Sequence, residues 1–185
     1  MPNLSLRAME SRYRVSNEDE EFWVLMSILE IHAQAEFAKM AYSNIEEKPR
    51  TDRERATFSS IHSFLSHCAL ISKMLNAKGT KQSIGEILGI PKNSVIHQRR
   101  FRNHLEHYDE RLKSWINKAK VGSSIVNHHI GDRKTFPVQG AIFVNFYDPY
   151  TKIFTFVDEE FELDKLFEES EKVKRISEEW LASDD

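Results

Sequence analysis

Between Ser16 and Tyr42 the chain places apolar residues on two opposite sides of one helical period, and this constrains the fold more than any other feature. One stripe is Phe22, Leu25, Met26, Leu29, Ala33, Phe37 and Met40; the other is Val24, Ile28, Ile31, Ala35, Ala38 and Tyr42. A surface helix needs only one apolar face. A helix with two is either central, or packs one face on its own core and the other on a second subunit; the second arrangement is expected here. Ser16 followed by Asn17-Glu18-Asp19-Glu20-Glu21 suits a helix start, with a capping hydroxyl and acids at the positive end of the helix dipole. Glu46-Glu47-Lys48-Pro49 marks the break after it.

Thr51-Asp52-Arg53-Glu54 reads as a capping box opening a second long helix. Its stripe is Phe58, Ile61, Phe64, Leu65, Cys68, Ile71 and Leu75, and Cys68 in that stripe reads as a buried, inert thiol. Gly79, Gly85, Gly89 and Pro91 make residues 78–94 a connector with one helical turn at Ile84–Leu88. A third long helix is expected from Asn93 or Ser94 to Lys120, with Phe101, Leu105, Tyr108, Leu112, Trp115 and Ile116 on its core side. Then the character changes. The β-prone runs 141–146 and 152–157 flank Asp148-Pro149-Tyr150-Thr151, which is turn chemistry, so a hairpin is expected. A last helix runs from Asp164, with Leu163, Leu166, Phe167, Val173, Ile176 and Trp180 as its contacts.

The expected architecture is therefore mainly α: an N-terminal arm over 1–15, a helical bundle over 16–120, and a hairpin plus helix over 121–185 packed on that bundle. With 185 residues, 40% hydrophobic and 30% charged, the chain suits one folded domain. No apolar run approaches the ~20 residues of a membrane-spanning helix. No signal-peptide core is visible, and a single cysteine forbids an internal disulfide, so a cytoplasmic setting is expected. A net charge of −3 argues against a protein that coats nucleic acid by bulk electrostatics. It leaves room for a local basic patch.

The densest polar cluster is Arg99-Arg100-Phe101-Arg102-Asn103-His104-Leu105-Glu106-His107-Tyr108-Asp109-Glu110-Arg111. On a helical wheel Asn103, His107 and Glu110 fall within about 60°, Arg99 joins them one turn earlier, and Arg102, Glu106 and Asp109 form an adjacent ridge. The plain structural account is a solvated face laced with pairs such as Arg102–Glu106. The functional account rests on the mixture of imidazole, amide and guanidinium. Arg102-Asn103-His104-Leu105-Glu106-His107 resembles the signature of the HEPN family (higher eukaryotes and prokaryotes nucleotide-binding): an Arg, a neighbouring polar residue and a His a few positions on. The resemblance covers roughly residues 16–120. It implies a small helical bundle that dimerises with the two motifs at the interface. Many members are metal-independent ribonucleases, often in toxin–antitoxin or defence systems, so an antitoxin protein is a further expected partner; others only bind nucleotides.

The wheel supports pairing independently, because Arg102 and His107, five residues apart, point about 140° apart on one helix. A groove between two such helices could present both to one ligand. An imidazole can take a proton from a ribose 2′-hydroxyl or return one to the leaving oxygen, and a guanidinium can fork onto the phosphate. On this reading His107 is the acid/base, Arg102 the phosphate clamp, and Asn103 orients the imidazole or holds a phosphate oxygen. Arg99, Arg100 and His104 would assist binding of RNA. No cofactor is called for, and no metal-ligand spacing is present. His128 and His129, being adjacent, would point apart in a strand, and His62 and His67 read as partly buried or surface residues.

A rival signal overlaps this region. Residues 82–95, with Gly85 and a turn at Leu88-Gly89-Ile90, resemble a helix-turn-helix, whose second helix would carry His97, Gln98, Arg99, Arg100 and Arg102 toward DNA. DNA is the lesser expectation, because that second helix would far exceed the usual length. Phe143, Phe146, Phe154 and Phe156 of the hairpin could form a base-stacking platform, but packing on the bundle or on a partner subunit is the expected role.

Overall fold

A computed structural model describes residues 20–45, 54–78, 81–98, 100, 103, 106–118, 124–138, 141–156 and 159–183. The protein is mainly helical, with a small C-terminal sheet and a final helix. Its longest helices are α1 (Glu20–Ser43), α2 (Glu54–Leu75) and the C-terminal α5 (Leu163–Ala182). Ser16 to Asp19 and the Thr51-Asp52-Arg53 part of the capping box lie outside the described residues.

Contacts along α1 show that both neighbours run antiparallel to it. On one side Gln34 and Phe37 meet His67, and Tyr42 meets Phe64. On the other Glu36 pairs with Lys174 (2.6 Å), Lys39 with Glu171 (2.9 Å), and the Tyr42 hydroxyl donates to Asp164. The inner stripe of α1 is accordingly buried at Val24, Ile28, Ile31, Ala35 and Ala38, between α2 and α5. The whole expected stripe of α2, from Phe58 to Leu75 and including Cys68, is buried as well. Each large side chain taken fully from water, such as Phe64 or Ile61, stabilises the fold by roughly 1.5–3 kcal/mol. Leu163, Leu166 and Val173 of α5 join the same hydrophobic cluster as α1 and α2, so bundle and C-terminal extension share one core.

The connector behaves as its punctuation suggests. Ser83 caps the single turn α3 (Ile84–Ile87) through a capping box: its hydroxyl accepts from Glu86 N–H while the Glu86 carboxylate accepts from Ser83 N–H. Gly89 follows with φ +67°, the left-handed conformation that ends such a turn. Ile84, Leu88, Ile90 and Ile96 are buried against the core. The expected third helix does not run unbroken from Asn93 or Ser94. Ser94 caps a 3-10 turn at Val95–His97, and Gln98 is extended. The physical cause is competition for Ser94: its oxygen accepts from Ile96 N–H while its hydroxyl donates to Glu169 of α5 (2.5 Å), fixing a local turn. This 3-10 turn occupies the place where a second helix of a helix-turn-helix would begin. Arg100, Asn103 and Glu106 are helical, and α4 spans Tyr108–Lys118, with Trp115 buried.

The hairpin forms as expected between β4 (Asn145–Asp148) and β5 (Ile153–Phe156), with Asp148 Oδ1 accepting from Tyr150 and Thr151 N–H in its turn. The sheet is larger than the hairpin. β6 (Glu159–Glu162) adds antiparallel to β5, and β2 (His129–Ile130) adds parallel to β4. A second parallel pair joins β1 (Ile125–Val126) to β3 (Ile142–Phe143). The offset between partners is the same in both parallel pairs, so one ladder is interrupted at Asn127–His128, where His128 takes φ 54°. Phe154 and Phe156 are buried toward α2, while Phe143 and Phe146 pack with Phe136 and His129 on the other face. These four phenylalanines are core, and none of them is free to stack a base.

Candidate functional site

Asn103, His107 and the residues around them sit on the segment that resumes helical structure after Gln98. Its entry is anchored to the sheet by Arg100. That guanidinium donates to Gln98 Oε1 (3.0 Å), lies 5.7 Å over the Phe161 ring, and has Nε 3.9 Å from the Glu159 carboxylate. Arg100, expected to contact nucleic acid, thus lies beside β6 with its side chain 51% exposed. The exit is anchored by Tyr108, whose ring stacks on buried Phe156 at 5.8 Å.

Between these anchors His107 N–H bonds to the Asn103 carbonyl (3.2 Å), and Arg111 N–H to the His107 carbonyl (3.0 Å), so one helical turn separates Asn103 from His107. Both are exposed. His107 Nδ1 lies 3.6 Å from a Glu110 oxygen, with side-chain exposures of 57% and 76%, which leaves the imidazole open to a ligand. Asn103, His107 and Glu110 therefore share the exposed side that their spacing indicates. Arg102, Arg99 and His104 lie outside the described residues, as do Phe101 and Leu105.

Sequence reasoning missed a second polar cluster, at the seam between α2 and the sheet. Asn145, buried in β4, donates to Asn127 Oδ1 (2.8 Å) and faces His62 of α2. His62 rests edge-on against Phe154 and Phe156, and His128 edge-on against Phe58. Burial pushes the His62 pKa below the ordinary imidazole range, opposed by the Asn145 contact and reinforced by nearby His128. His128 and His129 do point apart: His129 stacks on Phe146 on the opposite face. The adjacency of two histidines beside a β-prone run was the available signal, but pairing with His62 across 66 positions of sequence was not visible in it. His67, also shifted down by burial, binds Gln34 Oε1 (2.6 Å).

On the far face of the sheet, a cavity of about 210 Å³ is lined by Arg133, Lys134, Phe146, Asp148, Thr155 and Glu160, among others. Arg133 is tied within it to Thr155 (3.0 Å) and Glu160 (2.5 Å). Among the described residues no three His, Cys, Asp or Glu side chains are grouped to hold a metal ion, and no helix is long and apolar enough to cross a membrane. Compared with protein-family models, curated proteins and solved structures, the chain matches none.

Proposed function

We propose that this protein is a HEPN-like, RNA-directed endoribonuclease that works without a metal ion, as a homodimer. The observation that carries the reading is the exposed His107 one helical turn from exposed Asn103, on a segment held at both ends by Arg100 and Tyr108. An acid/base group must be open to substrate and fixed in place, and this arrangement meets both needs.

The chemistry is transesterification at a ribose 2′-hydroxyl. The imidazole of His107 takes the hydroxyl proton, the 2′-oxygen attacks phosphorus, and the P–O5′ bond breaks. The leaving 5′-oxygen takes its proton from an imidazolium, which the second copy's His107 supplies. Arg102 binds the phosphate and stabilises the charge developing on its oxygens. Asn103 orients the imidazole or holds a phosphate oxygen.

The test compares an RNA with DNA of the same sequence, both in excess EDTA. Cleavage of RNA alone, leaving 2′,3′-cyclic phosphate ends, supports the reading. RNA bound but uncut would support the non-catalytic RNA- or nucleotide-binding alternative, and neither binding nor cleavage would sink both.

A further inference from the structure

At Asn127–His128 the parallel ladder breaks without losing register. The offset between partners is the same before the break, Ile125 with Ile142, and after it, His129 with Phe146, so no residue is inserted. Continuity of the sheet does not require the excursion. Yet His128 takes φ 54°, a conformation that glycine adopts freely and a histidine adopts at a cost. We infer that Asn127 and His128 form a nucleobase subsite of the same RNA site as His107, with His128 stacking an unpaired base and Asn127 reading its edge.

The break changes where the two side chains stand. A continuous strand would send neighbours to opposite faces. Here Asn127 Oδ1 accepts from Asn145 Nδ2 (2.8 Å), and Asn145 is opposite His128 at the offset of the ladder. The His128 ring lies edge-on to Phe58 of α2, with centroids 5.1 Å apart. Both side chains therefore stand on the α2 side of the sheet, and both residues are exposed. Their supports are buried, since Asn145 and Phe58 are each 3% exposed. Among the described residues neither the His128 ring nitrogens nor the Asn127 NH2 group has a partner. An exposed pair on a buried footing is a binding group fixed before its ligand arrives.

A ring and a planar amide match the way unpaired RNA bases are held, by stacking on rings that include His and by hydrogen bonds to their edges. Asn145 holds Asn127 by its oxygen, so the NH2 donors face outward. Such a group bonds to a base carbonyl. It does not offer adenine the donor and acceptor together that a free Asn presents. A carbonyl-bearing base such as uracil is therefore preferred over adenine.

The placement agrees with the chemistry. His128, Asn145 and Phe156 stand at one level on neighbouring segments of the sheet, about 10 Å across at ~4.8 Å per strand. Tyr108, next to His107, stacks on Phe156. Stacked nucleotides are about 3.4 Å apart, so an RNA strand covers that width with about three of them, or fewer when extended. The inference rests on the RNA reading, and the two fail separately. RNA held by this pair but left uncut by the unaltered protein would leave the subsite standing and remove the nuclease.

The experiment is fluorescence anisotropy of labelled oligouridine and oligoadenosine of about 12 nucleotides, in EDTA. The full chain carries His107→Ala, so that the RNA stays intact. Oligouridine is expected to bind about fivefold or more tightly than oligoadenosine. Adding Asn127→Ala should remove most of that preference. Adding His128→Ala should weaken binding of both RNAs about fivefold or more, since stacking is sequence-tolerant. His128→Gly should weaken them equally while the thermal midpoint falls no lower, because glycine relieves the strain at φ 54°. A ring that served the fold alone would show the reverse. Unchanged affinity in His128→Gly, or oligoadenosine bound as tightly as oligouridine, overturns the inference. So does a preference that survives Asn127→Ala. RNA neither bound nor cut by the unaltered protein removes both readings.

Discussion

Tyr108, the residue after the candidate acid/base His107, stacks on Phe156 of the sheet with ring centroids 5.8 Å apart and planes 23° from parallel. Phe156 is 1% exposed and fixed within the core, so this contact fixes where the imidazole next to it is carried. Tyr108→Ala is expected to lower the rate of RNA cleavage about tenfold through misplacement of His107, at a cost to stability of about 1 kcal/mol. Tyr108→Phe keeps the stacked ring and should keep the rate. Cleavage assays paired with urea unfolding of both variants check this.

Arg100 lies over Phe161 and beside Glu159, holding the entry to the same segment. Both charged side chains are partly exposed, so Arg100→Ala should cost only about 0.5–1 kcal/mol. Its effect on RNA affinity should be smaller than that of Arg102→Ala, because the guanidinium is partly engaged by the sheet. Filter binding of the two variants to one RNA compares them directly.

His62 gives a pH dependence whose sign can be worked out. Asn145 of β4, Phe154 and Phe156 of β5, and His128 of the β1–β2 connection face it, and burial lowers its folded-state pKa. The unfolded chain therefore takes up a proton first as pH falls. Stability is full above the unfolded value of about 6.5 and declines from there as pH falls toward the lowered folded value. His67 adds in the same direction. Unfolding free energy measured by urea between pH 7.5 and 5.5, above most carboxylate titration, should fall in the unaltered protein and fall less steeply in His62→Gln.

Gly89 and Gly85 share the α3 connector but resist substitution for different reasons. Gly89 has φ +67° and open space around it, so Gly89→Ala should cost about 1 kcal/mol from backbone strain alone. At Gly85 a methyl group would stand 3.1 Å from the Leu75 carbonyl, so Gly85→Ala requires α3 and the end of α2 to part by a few tenths of an ångström. Thermal unfolding of the two single variants is expected to show both losses.

Much of this fold is legible in the chain. The inner stripe of α1, the continuous stripe on α2 and the Asp148 turn between β4 and β5 each rest on local periodicity or turn chemistry, and each is observed. What escaped was decided by tertiary contact. β6 carries Glu159, Glu160 and Glu162, a poor strand composition, and Phe161 packing inward beside β5 outweighs it. The break at Gln98 depends on Glu169, 75 residues from Ser94. The parallel ladder from β1 to β4 needs partners that no short window contains. In the candidate site, the shared side of Asn103, His107 and Glu110 follows from helical spacing; the placement of Arg100 beside β6 does not.

RNA cleavage by His107 and Arg102 acting together is the proposal to test. The most direct measurement is the single-turnover rate of RNA cleavage in EDTA for the unaltered protein, His107→Ala and Arg102→Ala, with unfolding curves confirming that all three are folded. Each substitution is expected to lower the rate by about 100-fold or more. Cleavage that persists unchanged in either folded variant would contradict the account.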